Sequence, residues 1–221
     1  MRKTQFANGE YYHIYNRGVD KRDVFLGEEY FERFLLSIQE FNRQDAIGSI
    51  YQNSFKQSEV VLGTKSPIGD LVPATSPIVE IIAYCLNPNH FHFILKQLGD
   101  GGISKFMLKL SSGYTTYFNK KQKRSGSLFQ GPFKSIHINS NEYLLYLSAY
   151  VNCNSEVHGI EEAEDYKWCS FLDYMGKRKG ILCNKEMVLG QFKNNEEYRE
   201  YAKTNALAMK DKKDMEKLVL E

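Results

Sequence analysis

"IVEIIAYCLNPNHFHFILKQL", residues 78–98, decides the fold. Residues 78–86 are a continuous apolar run suited to a central strand, "NPNH" is a turn signal, and "FHFILKQL" (91–98) returns as a second strand, so the segment reads as a β-hairpin. Side chains two apart on a strand share a face. His90 and His92 therefore point one way, while Phe91 and Phe93 enter a core on the other. Two imidazoles aimed at one point are bidentate metal geometry, but two half-exposed strand histidines without an ion would read the same.

Working outward, "YYHIYNRG" (11–18) reads as an earlier strand ending in a turn. In residues 27–44, Tyr30, Phe31, Phe34, Leu35 and Ile38 recur at helical spacing. Residues 45–77 lose this periodicity and read as a long loop insertion rich in Pro and Gly. Residues 101–124 place Ile103, Phe106, Met107, Leu110, Tyr114, Tyr117 and Phe118 on one helical face. Residues 127–138 read as extended. "NSNEYLLYLSAYVNCN" then begins a helix with Asn139 as N-cap and Glu142 in capping-box position, running to about Asn154. Strand, helix, strand, strand, helix, strand, helix predicts an α+β sandwich with helices on an antiparallel sheet. The core is expected over 1–154, followed by a C-terminal extension, 155–221, with a helix near 185–203.

The chain has 221 residues, 42% of them hydrophobic, with 15 Tyr and 14 Phe, which excludes a disordered chain. Cys85, Cys153, Cys169 and Cys183 lack CxxC spacing, so neither a zinc knuckle nor a disulfide framework is expected. No apolar stretch suits a signal peptide or a membrane span, and a cytoplasmic protein without a membrane partner is the expectation. The net charge of +2 conceals an asymmetry: residues 101–141 hold Lys105, Lys109, Lys120, Lys121, Lys123, Arg124 and Lys134 and no acid. Such a run is a polyanion footprint, since a merely solvated face mixes signs. These seven, with Arg17 after the first strand, are the candidate phosphate contacts.

A third ligand and a nucleophile can be sought on a helix. In "YVNCN", Tyr150 and Asn154 stand at i and i+4 on one face. The Asn154 amide oxygen could coordinate a hard cation while the Tyr150 phenol approaches an oxyanion held by it. Two imidazoles and one amide oxygen leave positions open for water and phosphate, as a catalytic site requires. Periodicity alone allows Tyr150 a core role beside Tyr143, Leu144, Tyr146 and Leu147; Tyr114 and Tyr117, on an apolar stripe, are read as core. His13 is read as a strand histidine near the sheet surface, with a place beside the metal as the lesser alternative, and His137 and His158 as DNA-facing or merely exposed.

"YYHIYNRG", "NPNHFHFIL", "GSLFQGPFKSI", "LLYLSAYVNCN" and "WCSFLDYMGKR", in this order, resemble the REP-associated tyrosine transposases, single-tyrosine members of the HUH nucleases. The resemblance covers about residues 10–180. It implies a ferredoxin-like core, a Mg²⁺ or Mn²⁺ ion held by His90, His92 and Asn154, Tyr150 as the catalytic nucleophile, and single-stranded or hairpin DNA as substrate. The implied chemistry is cleavage and strand transfer through a 5′-phosphotyrosine. Ser155 stands where the family often has proline, Asn87 where it often has methionine and Pro132 where an arginine is common; only the last is expected to bear on function, through a DNA contact. For the oligomeric state, a monomer is preferred over a dimer that exchanges the tyrosine helix. Two other functions fit the residues: a non-catalytic binder of structured nucleic acid, and a metal hydrolase using activated water with Tyr150 passive.

Overall fold

The computed structural model describes residues 5–44, 50 and 77–219. Apart from Ile50 and Pro77, the insertion expected over 45–77 lies outside the described residues. The strands are β1 (Tyr11–Arg17), β2 (Val79–Asn87), β3 (His90–Gln97) and β4 (Lys134–Ile138). The helices are α1 (Glu28–Phe41), α2 (Gly102–Lys121), α3 (Asn141–Asn152), α4 (Asn154–Val157), α5 (Phe171–Tyr174), α6 (Glu186–Leu189) and α7 (Asn195–Val219). The sheet is antiparallel, in the order β2-β3-β1-β4, the ferredoxin-like arrangement for a β-α-β-β-α-β chain.

Register divides the side chains between two faces. Ile14 lies opposite Phe93, and Tyr12 opposite Leu95. These residues meet α1 and α2, where Phe34 packs against Phe91 at 5.3 Å between ring centres and against Tyr114 at 4.8 Å. Burying such rings supplies most of the drive to fold. Gly113 lets α1 and α2 approach closely: a Cβ at this position of α2 would lie 2.6 Å from the Phe41 ring on α1, which would have to shift. Tyr114 is fully buried and donates its hydroxyl to Val24 O at 2.6 Å, which satisfies its polar end inside this core.

The opposite face carries α3. Its N-cap is Ser140, one residue beyond the expected Asn139, because the Ser140 hydroxyl accepts from Tyr143 N–H at 3.1 Å. The extended stretch expected over 127–138 is a strand only from Lys134. Gly131 adopts φ +72° and Pro132 has no N–H for a ladder, so the chain leaves the sheet between the Gly18–Phe129 bridge and β4.

The C-terminal residues close the outer edge of β2. Cys169 bridges Cys85, Cys183 bridges Ile81, and Trp168 stacks on Phe31 at 4.5 Å. Tyr198 of α7 is buried against α3: its hydroxyl accepts from Asn152 Nδ2 at 2.7 Å and lies 3.2 Å from Ser148 Oγ. The described cysteines are free thiols, three of them buried. No helix among the described residues is long and apolar enough to cross a membrane.

Candidate active site

The face under α3 is assembled by strand register. Across the β2–β3 hairpin, His90 pairs with Asn87 and His92 with Cys85. Across β3–β1, His90 pairs with Arg17, His92 with Tyr15 and Ile94 with His13. On the far side, Lys134 of β4 pairs with Tyr15. Directly paired residues share a face, so three backbone ladders bring these side chains together without any loop.

Helix α3 lays Tyr150 over them. The Tyr150 ring meets His92 edge to face at 5.4 Å and His13 at 6.0 Å. The phenol is half-buried and turned toward the imidazoles, not into the core beside Leu144 and Leu147. The helix breaks at Cys153 and resumes as α4, which puts the fully buried Asn154 carboxamide beside His90, with Asn154 Oδ1 at 3.3 Å from His90 Nε2. The four residues singled out from the motifs thus converge from β3, α3 and α4.

Burial sets the protonation states. Desolvation drives His92 well below the usual imidazole range, assisted by the neighbouring His13, His90 and His158, and it brings His13 down to about 4. Both rings are neutral near pH 7 and keep lone pairs for an ion. Burial raises the Tyr150 pKa, with the Asn154 side chain opposing, so the resting phenol keeps its proton.

His13 is not the surface histidine expected. It is buried, its Nε2 lies 2.8 Å from His92 Nδ1, and its Nδ1 has no partner among the described residues. The alternation of β1 placed it on this face, but the β1–β3 register that sets it against His92 is not written in either strand alone. His158 sits at the rim, its ring 4.7 Å from that of His90. His137 instead contacts Glu10 at 2.8 Å.

The donors suit a small divalent cation. Two ligands about 2.1 Å from an octahedral ion stand roughly 3 Å apart, close to the His90–Asn154 spacing of 3.3 Å. Asn154 Oδ1 faces His90 Nε2, and Asn154 Nδ2 is buried on the other side of the carboxamide. Among the described residues no group of three or more His, Cys, Asp or Glu could hold an ion, so the candidate set joins the Asn154 amide oxygen to the two imidazoles.

A cleft of about 300 Å³ opens onto the site. Arg17 and Lys134 line it with His90, His92 and Tyr150. The other cations are dispersed. Lys105 and Lys109 line a separate cleft with Arg43 and Asp100. Lys121 is paired with Glu29, and Arg124 donates to Ser127 O. Lys120 and Lys123 are exposed around the other end of α2, about 22 Å along the helix from Lys105. The sequence run of positive charge is therefore not one surface, because a 20-residue helix separates its members.

A ferredoxin-like sheet with paired strand histidines facing a helical tyrosine defines the class as an α+β sandwich whose imidazoles and phenol share one face. Residues 74–154, which span β2 to α3 and include His90, His92, Tyr150 and Asn154, match the family model described as "Transposase IS200 like". The fold is similar to the solved structure of a REP-associated tyrosine transposase bound to a REP hairpin, at a TM-score of 0.54 and 15% identity, over 82% of this chain and 87% of that one. Both findings bear out the resemblance read from the motifs. No curated protein matches the sequence.

Proposed function

We propose that the protein is a metal-dependent transposase or endonuclease that cleaves and rejoins single-stranded, hairpin-forming DNA through a 5′-phosphotyrosine at Tyr150. The observation that carries this reading is the convergence of Tyr150 with His92 at 5.4 Å and of Asn154 with His90 at 3.3 Å on one face of the sheet. The match to the IS200-like transposase family over the same residues supports it.

His90, His92 and Asn154 would hold a Mg²⁺ or Mn²⁺ ion, whose chemistry is to polarise the scissile phosphate and offset developing charge. The imidazole donors favour Mn²⁺ over Mg²⁺, which prefers an all-oxygen shell. Arg17 and Lys134 would seat the flanking phosphates in the cleft. Tyr150 Oη attacks phosphorus, an Oη–P bond forms as the P–O3′ bond breaks, and the phenolic proton is lost while the departing 3′-oxygen gains one. The phosphodiester energy is kept in the phosphotyrosine, so a DNA 3′-OH can reverse the step and join a new strand without ATP.

The experiment incubates the protein and Tyr150→Phe with a 5′-extended hairpin library and Mn²⁺ or Mg²⁺, then separates products under denaturing conditions. A denaturant-resistant protein–DNA band in the unaltered protein, absent in Tyr150→Phe and in EDTA, is expected. Cleavage that survives Tyr150→Phe would assign the site to activated-water hydrolysis, and binding without cleavage would leave a nucleic-acid-binding role alone.

A further inference from the structure

Asn87, the last residue of β2, is fully buried beside this site. Its Nδ2 donates to Asn154 Oδ1 at 2.6 Å and lies 2.9 Å from His90 Nε2. Its Oδ1 accepts from the Cys85 thiol at 3.5 Å. Asn87 Nδ2, Asn154 Oδ1 and His90 Nε2 thus form a triangle with edges of 2.6, 2.9 and 3.3 Å. Neighbouring ligands around an octahedral ion at about 2.1 Å are separated by roughly 3 Å, so the triangle has the size of one octahedral face. Two of its corners are lone-pair donors to an ion, and the third is an NH₂ group.

We propose that Asn87 is a switchable ligand of the divalent cation, an inference that rests on the metal site of the proposed function. Without the ion, the Asn87 NH₂ group occupies the lone pairs of Asn154 and His90. With the ion, the carboxamide turns over and Oδ1 completes the face. Oxygen and nitrogen of an amide have nearly the same size, and the terminal torsion is broad and roughly two-fold, so the half-turn requires little movement of neighbours. The far end of the amide accepts either orientation, because the Cys85 sulfur is a weak donor through S–H and a weak acceptor through S. The present state satisfies the polar atoms of this fully buried side chain, and in the turned state Oδ1 faces the ion while one N–H faces the Cys85 sulfur, so the ion offsets the weaker bonding of the amide's far end.

Methionine at this position would offer a thioether in place of an amide: it cannot donate to Asn154 and is a poor ligand for Mg²⁺ or Mn²⁺. The departure at residue 87, expected to carry no functional weight, falls on the ion site.

The test is Mn²⁺ binding by the full chain without DNA, read as loss of the electron paramagnetic resonance signal of the free ion. The unaltered protein, Asn87→Met, Asn87→Asp and, as a site control, Asn154→Ala are compared, with circular dichroism to report folding. The expected result is about tenfold or weaker binding in Asn87→Met and tighter binding in Asn87→Asp, whose oxygens need no turn. Asn87→Met and Asn87→Asp that both bind as the unaltered protein does would overturn the proposal while leaving the metal site intact. Should the variants not fold, a Mn²⁺-soaked crystal of the unaltered protein decides: Asn87 Oδ1 at about 2.2 Å from the ion supports the proposal, and Asn87 Nδ2 still bonded to Asn154 with the ion in place overturns it. An unaltered chain that takes up no Mn²⁺, or takes it up equally after Asn154→Ala, overturns the metal reading of the site and this proposal with it.

Discussion

His13 Nε2 lies 2.8 Å from His92 Nδ1, inside the protein and with no charged group between them. Both rings are neutral, so the pair shares a single hydrogen along this line. For His92 to offer Nε2 to an ion, that hydrogen must sit on His92 Nδ1, and His13 must accept it. The tautomer of His92 is thus coupled to a neighbour on a different strand.

Replacing His13 by Leu leaves His92 Nδ1 buried without its partner. Mn²⁺ binding is expected to weaken about 10–100-fold, whereas His13→Gln, whose amide oxygen can accept, recovers part of the loss. Calorimetric titration of the three proteins at pH 7.5 measures the order; equal affinities would remove His13 from the site.

The same burial makes the ion-free protein sensitive to acid. The folded pKa of His13 is depressed to about 4, against an ordinary 6.5, and His92 moves in the same direction. Between pH 6.5 and 4 the unfolded chain therefore binds more protons than the folded one, and stability falls as pH falls through that window. The rings facing His13 are His92, Tyr15 and Tyr150. The His13 contribution is on the order of 3 kcal/mol when fully lost, at 1.36 kcal/mol per pKa unit. Urea unfolding in EDTA at pH 7, 6 and 5 measures it, and His13→Gln should flatten the profile.

Arg17 and Lys134 line the cleft with Tyr150, whereas Lys105 and Lys109 line another. Changing Arg17 or Lys134 to Ala should weaken hairpin binding and lower the slope of log affinity against log salt by about 0.7–0.9 each. The Lys105→Ala, Lys109→Ala double variant should change the slope by less than either single one. Fluorescence anisotropy across a salt series separates these outcomes.

Tyr198→Phe removes the hydroxyl that joins α7 to Asn152 and Ser148 on the helix carrying Tyr150. Leaving the Asn152 amide unpaired in a buried site should cost about 1–3 kcal/mol of unfolding free energy. Mn²⁺ affinity should not change, since Asn152 points away from the imidazoles toward α7 and Ser170. Denaturant titration and Mn²⁺ titration of the one variant check both halves.

Periodicity made the hairpin and the long helices legible, because a central strand and an amphipathic helix each impose a pattern on consecutive residues. The spacing of the candidate residues was legible in the same way: His90 and His92 stand at i, i+2 on β3, and Tyr150 and Asn154 at i, i+4 across the break between α3 and α4. What the sequence hid depends on contacts between elements. His13 and Asn87 enter the site through the β1–β3 and β2–β3 registers, and a shift of one residue in either would turn them to the other face. The spread of the positive run was hidden for the opposite reason, since residues of one run that stand at the two ends of α2 are far apart in space.

The most direct measurement of the central claim is mass spectrometry of the protein digested after reaction with a 5′-extended hairpin and Mn²⁺. The account predicts a peptide containing Tyr150 that carries the 5′-phosphate of the cleaved strand, with an equal amount of DNA ending in 3′-OH. Cleaved DNA with a free 5′-phosphate and unmodified Tyr150 at every time point, or a nucleotide attached to a different tyrosine, would contradict it.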